Sequence, residues 1–315
     1  MRNRYKQYVK MVIILLMLTS CASPKAIFRP EDLHTPLQWI MIDRIPIVYT
    51  IQGEGEPLLI LSSFPLRADV WREFVTLLTP SFRVIVVEPP WLWEPRAMGN
   101  DFSSEHLLQI YRKFVRKLGI KKIHVLGVGE GGGLAVAFGH HFPELIRTSI
   151  SINGFEGVTW SGDTQKMLAL FYSSTEEGIK ELLKASSLRY QPQGPSPEEM
   201  RYLLEPVQKK ERLPAVQARM TDFGQDIKSL YIPAMIEYID FPVLIIRSDT
   251  DTVLSEKYTE YARNRISQAE YQTVQKAGHF AFMDQPEKTA EMVRTFLLRY
   301  PVAEGLMPIP FHRSF

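Results

Sequence analysis

Strand-like and helix-like segments alternate along most of this 315-residue chain. Short apolar, β-branched runs are each followed by a segment whose apolar residues recur at helical spacing. The runs with the strongest strand pattern read "FRVIVV", "KIHVLGV", "IRTSISIN" and "FPVLIIRSD". Strands that alternate with helices form parallel pairs, because the chain must cross over between neighbouring strands. The pattern therefore predicts an α/β fold with a mostly parallel, doubly wound sheet.

One long segment interrupts this alternation. Between about residues 155 and 234 the strand signal disappears, and amphipathic helical patterns with several prolines replace it. We interpret residues 155–234 as a helical cap over the carboxyl edge of the sheet, where open α/β sheets bind ligands. The core then comprises residues 37–154 and 235–303, and residues 304–315 form a tail.

The amino terminus has the composition of a bacterial export signal. A short apolar run ends in Leu18-Thr19-Ser20-Cys21 and follows four basic residues, Arg2, Arg4, Lys6 and Lys10. The run is too short for a membrane-spanning helix, which needs roughly 20 apolar residues, and residues 1–20 are predicted to be a signal peptide. The final tetrad resembles the lipobox of bacterial lipoproteins, which implies a lipidated Cys21. An ordinary signal peptide or an uncleaved anchor is the alternative.

The leader also determines the predicted location and the charge of the mature chain. The resemblance implies a membrane anchor at Cys21 and a place in the cell envelope. Residues 21–36 are predicted to be a tether, because the stretch contains three prolines and has no periodicity. In bacterial lipoproteins an acidic residue after the cysteine often favours retention in the inner membrane, whereas Ala22 here favours sorting to the outer membrane. An outer-membrane or periplasm-facing position is therefore expected rather than the cytoplasm. The formal charge of +2 less the four leader charges gives −2, which argues against a nucleic-acid partner. Cys21 is the only cysteine, so the chain has no disulfide, thiol catalyst or cysteine metal cluster.

A glycine-rich turn, "GVGEGGG", joins one predicted strand to the next helix. Gly127, Gly129 and Gly132 match the dinucleotide pattern G-x-G-x-x-G. A dinucleotide fold places that turn in its first strand–helix–strand unit, with an acidic residue about 20 positions later. Here several elements precede the turn, and the next strand closes with Asn153-Gly154. We therefore expect no cofactor.

Three segments together resemble the α/β-hydrolase family, from about Trp39 to Tyr300. "KIHVLGVGEGGGLAVAFGHHFPEL" is similar to the strand, nucleophile elbow and helix of that family. "FPVLIIRSDTDTVL" is similar to the segment with the catalytic acid, and "KAGHFAFMDQPEKTAEMVRTFL" to the segment with the catalytic histidine. The resemblance implies that Asp251 is the acid, with Asp249 as its competitor, and that His279 is the base. The order elbow, acid, histidine is the family's order.

The chain departs from the family pattern at the elbow itself. Gly127 and Gly131 match the outer glycines, which places Gly129 where the family has its nucleophile. Glycine has no side chain, so it cannot form an acyl-enzyme. The resemblance also implies an oxyanion hole from the backbone N–H groups of Phe64 and Glu130. The family often has His-Gly before this loop, whereas this chain has two serines.

Several residues are candidates for a pocket or a displaced nucleophile. Trp91, Trp93 and Phe155 are predicted on loops at the carboxyl edge, where they either line an apolar pocket or pack under the cap. The surrounding stretch "EPPWLW" weakly resembles the maspardin branch of the fold, which implies a binding role. Displaced nucleophiles would come from strand ends; the candidates are Ser62, Ser63 and Ser248.

The sequence leaves three function classes open. The first is a degenerate hydrolase that binds a small, mainly apolar or ester-like molecule, or a protein partner, at the former active site. The second is a working hydrolase or lyase in which His279 and Asp251 activate water or a substrate proton. The third is a purely structural envelope protein. Neither a metal nor a cofactor is expected in any of them.

Overall fold

The computed structural model describes residues 36–155, 162–173, 175–208, 213–228, 239–254, 256–266 and 268–302. The predicted signal peptide, Cys21 and the tail from 304 to 315 lie outside these ranges, as does most of the predicted tether. Among the described residues, none of the helices combines the length and the apolar character needed to cross a membrane.

Eight strands form one sheet, in the spatial order β1-β2-β4-β3-β5-β6-β7-β8. β2 runs antiparallel to both of its neighbours, β1 and β4, and all the other pairs are parallel. The strands are β1 Gln38–Ile42, β2 Ile45–Gln52, β3 Glu56–Leu61, β4 Phe82–Val87, β5 Ile123–Val128, β6 Ile146–Ile152, β7 Val243–Ser248 and β8 Glu270–Val274. The predicted mostly parallel, doubly wound sheet is confirmed.

The burial of the strands follows their position in the sheet. Every residue of the central strand β5 is buried, whereas most of the edge strand β8 is only partly buried. A strand buried on both faces reads as a continuous apolar run, which explains the "KIHVLGV" signal. His124 on β5 is completely buried and contacts Thr148 Oγ1 at 2.8 Å, as a core histidine would.

Helices connect the parallel strands and cover the sheet. The helices of the core are α1 Arg72–Leu78, α2 Ser104–Lys117, α3 Glu130–His141, α8 Glu256–Arg265, α9 Ala281–Asp284 and α10 Pro286–Leu297. α1 packs against α10, and α2 packs against α3, which also contacts β5 and β6. α2 begins with a side-chain cap, because the Ser103 hydroxyl accepts a hydrogen bond from the His106 N–H at 3.2 Å.

Four further helices lie between β6 and β7. They are α4 Gly162–Phe171, α5 Glu176–Ser186, α6 Pro197–Gln208 and α7 Leu213–Lys228. No strand occurs among the described residues of this interval, which agrees with the loss of strand signal in the sequence. α7 contacts α2 and α4, so this helical segment packs on the core as well as on itself. We call α4–α7 the cap helices below.

Candidate active site

Four residues of the candidate site follow four neighbouring parallel strands. Gly129 comes directly after β5, and Asn153 directly after β6. Asp251 lies three residues after β7, and His279 lies five residues after β8. Because parallel strands end at a common edge, the sheet brings all four segments to one side of the molecule.

Gly129 forms the sharp corner between β5 and α3. Its φ of 55° and ψ of −119° lie in a region that residues with a side chain rarely adopt. The outer glycines are required by close packing: a Cβ on Gly127 would lie 2.1 Å from the Gly131 backbone. A Cβ on Gly131 would in turn lie 2.2 Å from the Leu61 carbonyl oxygen. These glycines are therefore explained by contact between backbones, without a bound phosphate.

A serine in the loop after β3 binds that loop to the corner. The Ser63 hydroxyl donates to the Val128 carbonyl at 2.6 Å and accepts from the Gly131 N–H at 2.8 Å. This bridge places the next residue, Phe64, beside the corner. Phe64 and Glu130, the two residues expected to supply oxyanion donors, thus lie on segments that are hydrogen-bonded to each other.

Asp251 and His279 form a buried hydrogen-bonded pair. The distance from Asp251 Oδ2 to His279 Nδ1 is 2.8 Å, and the side chains are 5% and 0% exposed. Burial opposes the charge of Asp251, but His279 and the Val253 and Leu254 N–H groups outweigh it, so the pKa of Asp251 is lowered. A carboxylate bound to Nδ1 orients the imidazole and directs Nε2 away from it.

The competing candidates have other partners. Asp249 accepts a hydrogen bond at 3.3 Å from the N–H of Ala277, two residues before His279, and not from the imidazole ring. The Ser62 hydroxyl donates to the Leu66 carbonyl at 2.9 Å and accepts from the Trp71 indole at 3.0 Å. The Ser248 hydroxyl accepts from the Asn153 amide at 2.8 Å. Like the Ser63 hydroxyl, the hydroxyls of Ser62 and Ser248 therefore form hydrogen bonds within the protein.

Six buried or nearly buried rings run from the loop after β4 to the histidine, and we call this series the aromatic chain. Successive ring centroids lie between 5.6 and 6.3 Å apart. Its members in order are Trp91, Phe64, Tyr172, Phe223, Phe155 and His279. The Phe155 N–H also donates to the Gly129 carbonyl at 3.1 Å. Phe155 therefore contacts both the corner and the histidine, and the cap helices contribute Phe223.

The side chain of Glu130 connects the corner to the cap helices. Its Oε1 accepts from Arg219 Nε at 2.8 Å and from Arg219 Nη2 at 2.5 Å, and its Oε2 accepts from the Tyr172 hydroxyl. Arg219 is completely buried and also donates to the Phe102 carbonyl at 2.6 Å. Burial and the adjacent Glu130 carboxylate raise the pKa of Tyr172 well above its usual value. Both carboxylate oxygens of Glu130 are thus engaged in contacts with the cap.

Trp93 points into a second buried ionic group rather than into the aromatic chain. Its indole N–H donates to Glu88 Oε2 at 2.8 Å. Glu88 is completely buried, and burial raises its pKa although Arg67 and the Ala68 N–H counteract the shift. The Arg67 guanidinium lies 4.1 Å from the ring of Tyr202 on cap helix α6, so this group also joins core and cap.

Sequence reasoning missed most of these contacts. Glu130 was predicted to contribute only its backbone N–H, as an oxyanion donor. The sequence did not indicate a role for Arg219, Tyr172, Phe223 or Asn153. One signal was present: Arg219, Asp222 and Asp226 are spaced for one face of a helix. The Asp222 and Asp226 carboxylates accept from the backbone N–H groups of Phe102 and Ser104, each at 2.8 Å. A charged stripe of this kind normally predicts a solvated surface.

Within the described ranges, no cluster of three histidine, cysteine, aspartate or glutamate residues could hold a metal ion. The polar residues of the site are instead arranged as one Asp–His pair and two buried ion pairs. These groups can orient a base and polarise bound water, and they can hold the cap against the corner.

Comparisons with known proteins agree with the observed fold. A family model described as alpha/beta hydrolase fold matches residues 56–286. Monoacylglycerol lipase ABHD6 of Mus musculus is 25% identical over 266 residues, which cover 78% of this chain and 76% of the relative. A hydrolase of Pseudomonas putida, 2-hydroxy-6-oxononadienedioate/2-hydroxy-6-oxononatrienedioate hydrolase 1, is 29% identical over 149 residues, covering 44% of this chain and 52% of the relative.

Solved structures show the same fold at lower identity. A membrane phospholipase A described as a bacterial virulence factor has a TM-score of 0.72 and 18% identity, covering 95% of this chain and 99% of that chain. A putative lipase from Acinetobacter baumannii AYE has a TM-score of 0.71 and 18% identity, covering 84% and 92%. The family model covers most of the chain, from β3 to the start of α10. This chain belongs to the alpha/beta hydrolase fold family.

Proposed function

We propose that this protein is a degenerate hydrolase that binds a small, mainly apolar ligand at the former active site. The observation that carries the proposal is Gly129 at the corner between β5 and α3, with a φ of 55°. A side chain at this position would be the nucleophile, and glycine offers none. Glycine also relieves the backbone strain that a nucleophile at this corner must bear. The residue thus removes covalent catalysis while stabilising the turn.

The aromatic residues beside the corner support an apolar ligand. The aromatic chain passes the corner at Phe155 and reaches Tyr172, whose hydroxyl is bound by Glu130. Aromatic rings bury large apolar areas, and ligand sites commonly combine such walls with a few polar groups. The relatives include a protein named as a monoacylglycerol lipase, which favours a ligand with an acyl chain or an ester-like group.

A second function is favoured by one observation, the intact Asp251–His279 pair at 2.8 Å. A carboxylate that orients an imidazole is the arrangement of a general base. In this alternative, His279 takes a proton from water or substrate, and the water attacks without a covalent intermediate. The lowered pKa of Asp251 supports the alternative, because the carboxylate stays ionised and can stabilise an imidazolium.

The location proposed for the protein is the bacterial cell envelope, with a lipid on Cys21. The support is the leader sequence ending in Leu18-Thr19-Ser20-Cys21. Metabolic labelling with a radioactive or alkyne-bearing fatty acid should label the protein, and Cys21→Ala should abolish the label. Equal labelling of the two proteins would contradict the proposal.

One set of assays separates the two functions. The purified protein, Gly129→Ser and His279→Ala are each tested against p-nitrophenyl esters of increasing chain length. A degenerate hydrolase shows no turnover above buffer in the native protein. Native turnover that His279→Ala abolishes would reject that proposal and support water activation.

The Gly129→Ser variant tests directly whether residue 129 occupies the nucleophile position. If Gly129 occupies the nucleophile position and the backbone donors survive, serine there restores weak esterase activity and labelling by a fluorophosphonate. Adding His279→Ala to Gly129→Ser should remove both. Fluorophosphonate labelling of the native protein at any serine would show that a nucleophile exists elsewhere, and would contradict the degenerate assignment.

A further inference from the structure

Asn153 lies between the strand ends that carry the Asp251–His279 pair. It directly follows β6, is completely buried and has a φ of 44°, in the left-handed region. Asparagine tolerates this conformation better than most residues with a side chain. Its side-chain amide spans the space between the end of β7 and the loop that contains His279.

The amide makes four hydrogen-bonding contacts, three of which share the two N–H groups of Nδ2. Its Nδ2 donates to the Ser248 hydroxyl at 2.8 Å, to the His279 carbonyl at 2.8 Å and to the Gly278 carbonyl at 3.3 Å. Its Oδ1 accepts from the Ser248 N–H at 2.9 Å. Because a backbone N–H only donates and a carbonyl only accepts, these partners determine which way the amide faces.

The histidine loop is held from the cap as well. The Asp284 carboxylate accepts from the Gly278 N–H at 2.7 Å and from the Leu188 N–H at 3.0 Å. The Phe280 N–H donates to the Ser186 carbonyl at 2.7 Å. These contacts hold residues 278 and 280, but the His279 carbonyl itself is bound by Asn153.

From this geometry we infer that Asn153 is a positioning residue for the Asp251–His279 pair. Its amide holds the backbone of His279 against the end of β7, three residues before Asp251. The imidazole reaches the Asp251 carboxylate only if these two backbone segments keep their separation. Asn153 acts through its backbone contacts, and it touches neither the imidazole nor the carboxylate by a described hydrogen bond.

Two substitutions isolate the amide. Asn153→Gly removes all four hydrogen-bonding contacts but keeps a residue that adopts positive φ without strain. Asn153→Asp keeps the shape and replaces a donor by a carboxylate oxygen, which then faces the carbonyls of Gly278 and His279 and repels them. The matched control is Ser149→Ala on the same strand, because it removes a buried hydrogen bond to Ala135 at 2.7 Å away from the pair.

The readout is the proton on His279 Nδ1 in protein labelled with ¹⁵N-histidine. A proton shared with a carboxylate resonates at low field, and His279→Gln assigns the signal by its loss. We expect the signal in the native protein and in Ser149→Ala. In Asn153→Gly its exchange with solvent should rise roughly tenfold or the signal should disappear, since two or more hydrogen bonds that hold the loop are lost. Asn153→Asp should lose the signal while circular dichroism remains native.

An unchanged signal and exchange rate in Asn153→Gly or Asn153→Asp would overturn the inference. Absence of the signal from the native protein would also overturn it, because the pair would then not be formed. If Asn153→Gly fails to fold, Asn153→Asp decides the question, since it preserves side-chain volume. The measurement uses no substrate, so its result is independent of the ester assays on Gly129→Ser.

Discussion

The buried ion pair between Glu130 and Arg219 gives the most demanding test of the structure, because it joins the glycine corner to cap helix α7. The two side chains are 6% and 0% exposed, and two Arg219 nitrogens donate to the same carboxylate oxygen. Replacing Arg219 by methionine removes these donors but leaves the Glu130 carboxylate away from water. The Tyr172 hydroxyl is then its remaining charge-stabilising contact among those described above.

The expected cost follows from this burial. Removing one partner of a buried pair destabilises a protein by about 3–5 kcal/mol, because the other charge stays desolvated. The Arg219 bond to the Phe102 carbonyl at 2.6 Å is lost as well, which favours the upper half of that range. Adding Glu130→Gln to Arg219→Met removes the buried charge of Glu130, whereas Asp226, which lies 3.6 Å from Arg219, keeps the Ser104 N–H as a donor. The double variant should therefore be more stable than Arg219→Met by about 1–3 kcal/mol, within the usual range of coupling between contacting residues.

Urea unfolding followed by tryptophan fluorescence measures these differences. With a slope of about 2–3 kcal/mol per M, Arg219→Met should lower the midpoint by roughly 1–2 M. The control is Arg116→Met, since Arg116 contacts Glu144 at 2.9 Å at the surface with half of its side chain exposed. Exposed pairs contribute about 0–1 kcal/mol, so this variant should unfold close to the native protein.

Hydrogen exchange separates the cap from the core in the same variants. If the pair holds the cap against the corner, Arg219→Met should increase exchange in α7 and around residues 129–133 more than in β4 or β5. Equal midpoints for Arg219→Met and Arg116→Met would refute the reasoning. A double variant no more stable than Arg219→Met would show that the carboxylate is not buried against this arginine.

Three further outcomes are expected. Ser63→Ala should cost about 1–3 kcal/mol of unfolding free energy by urea titration, because the Gly131 N–H loses its acceptor in a buried site. Gly127→Ala should abolish soluble expression, since its Cβ would lie 2.1 Å from Gly131, and normal yield would show that this contact is absent. The pKa of Asp251 is lower in the folded protein than in the unfolded chain, where it is about 4. Ionisation of Asp251 therefore stabilises the fold above about pH 4, and this contribution is lost as the pH falls through the folded pKa. Asp251→Asn should consequently show a shallower loss of stability below about pH 4 in unfolding curves, and an unchanged slope would argue against the pair with His279.

The secondary structure and the order of the motifs followed from local patterns. "KIHVLGV" is apolar at nearly every position because β5 is buried on both faces, and "GVGEGGG" is rich in glycine because backbones meet there. Asp251 and His279 could be paired before the structure was known, because their segments resemble the acid and histidine segments of the α/β-hydrolase family. The geometry agrees, with 2.8 Å between the two side chains. The roles of Gly129 and of the pair stay proposals.

The contacts that hold the site together depended on tertiary structure. The sequence around Glu130 would be the same whether its carboxylate faced solvent or, as it does, an arginine 89 residues away. Arg219 lies on a helix whose polar stripe would ordinarily predict exposure, and Asn153 resembles an ordinary turn residue.

The sequence by itself determined which segments become strands and helices, and it placed a glycine-rich turn between β5 and α3, because these properties depend on neighbouring residues. Only the tertiary structure decided that Glu130 is paired with Arg219, that six rings form a chain ending at His279, and that Asn153 holds the histidine loop. The physical reason is that a buried polar group is stabilised by whichever partner the fold brings within hydrogen-bonding distance, and that partner is distant in sequence.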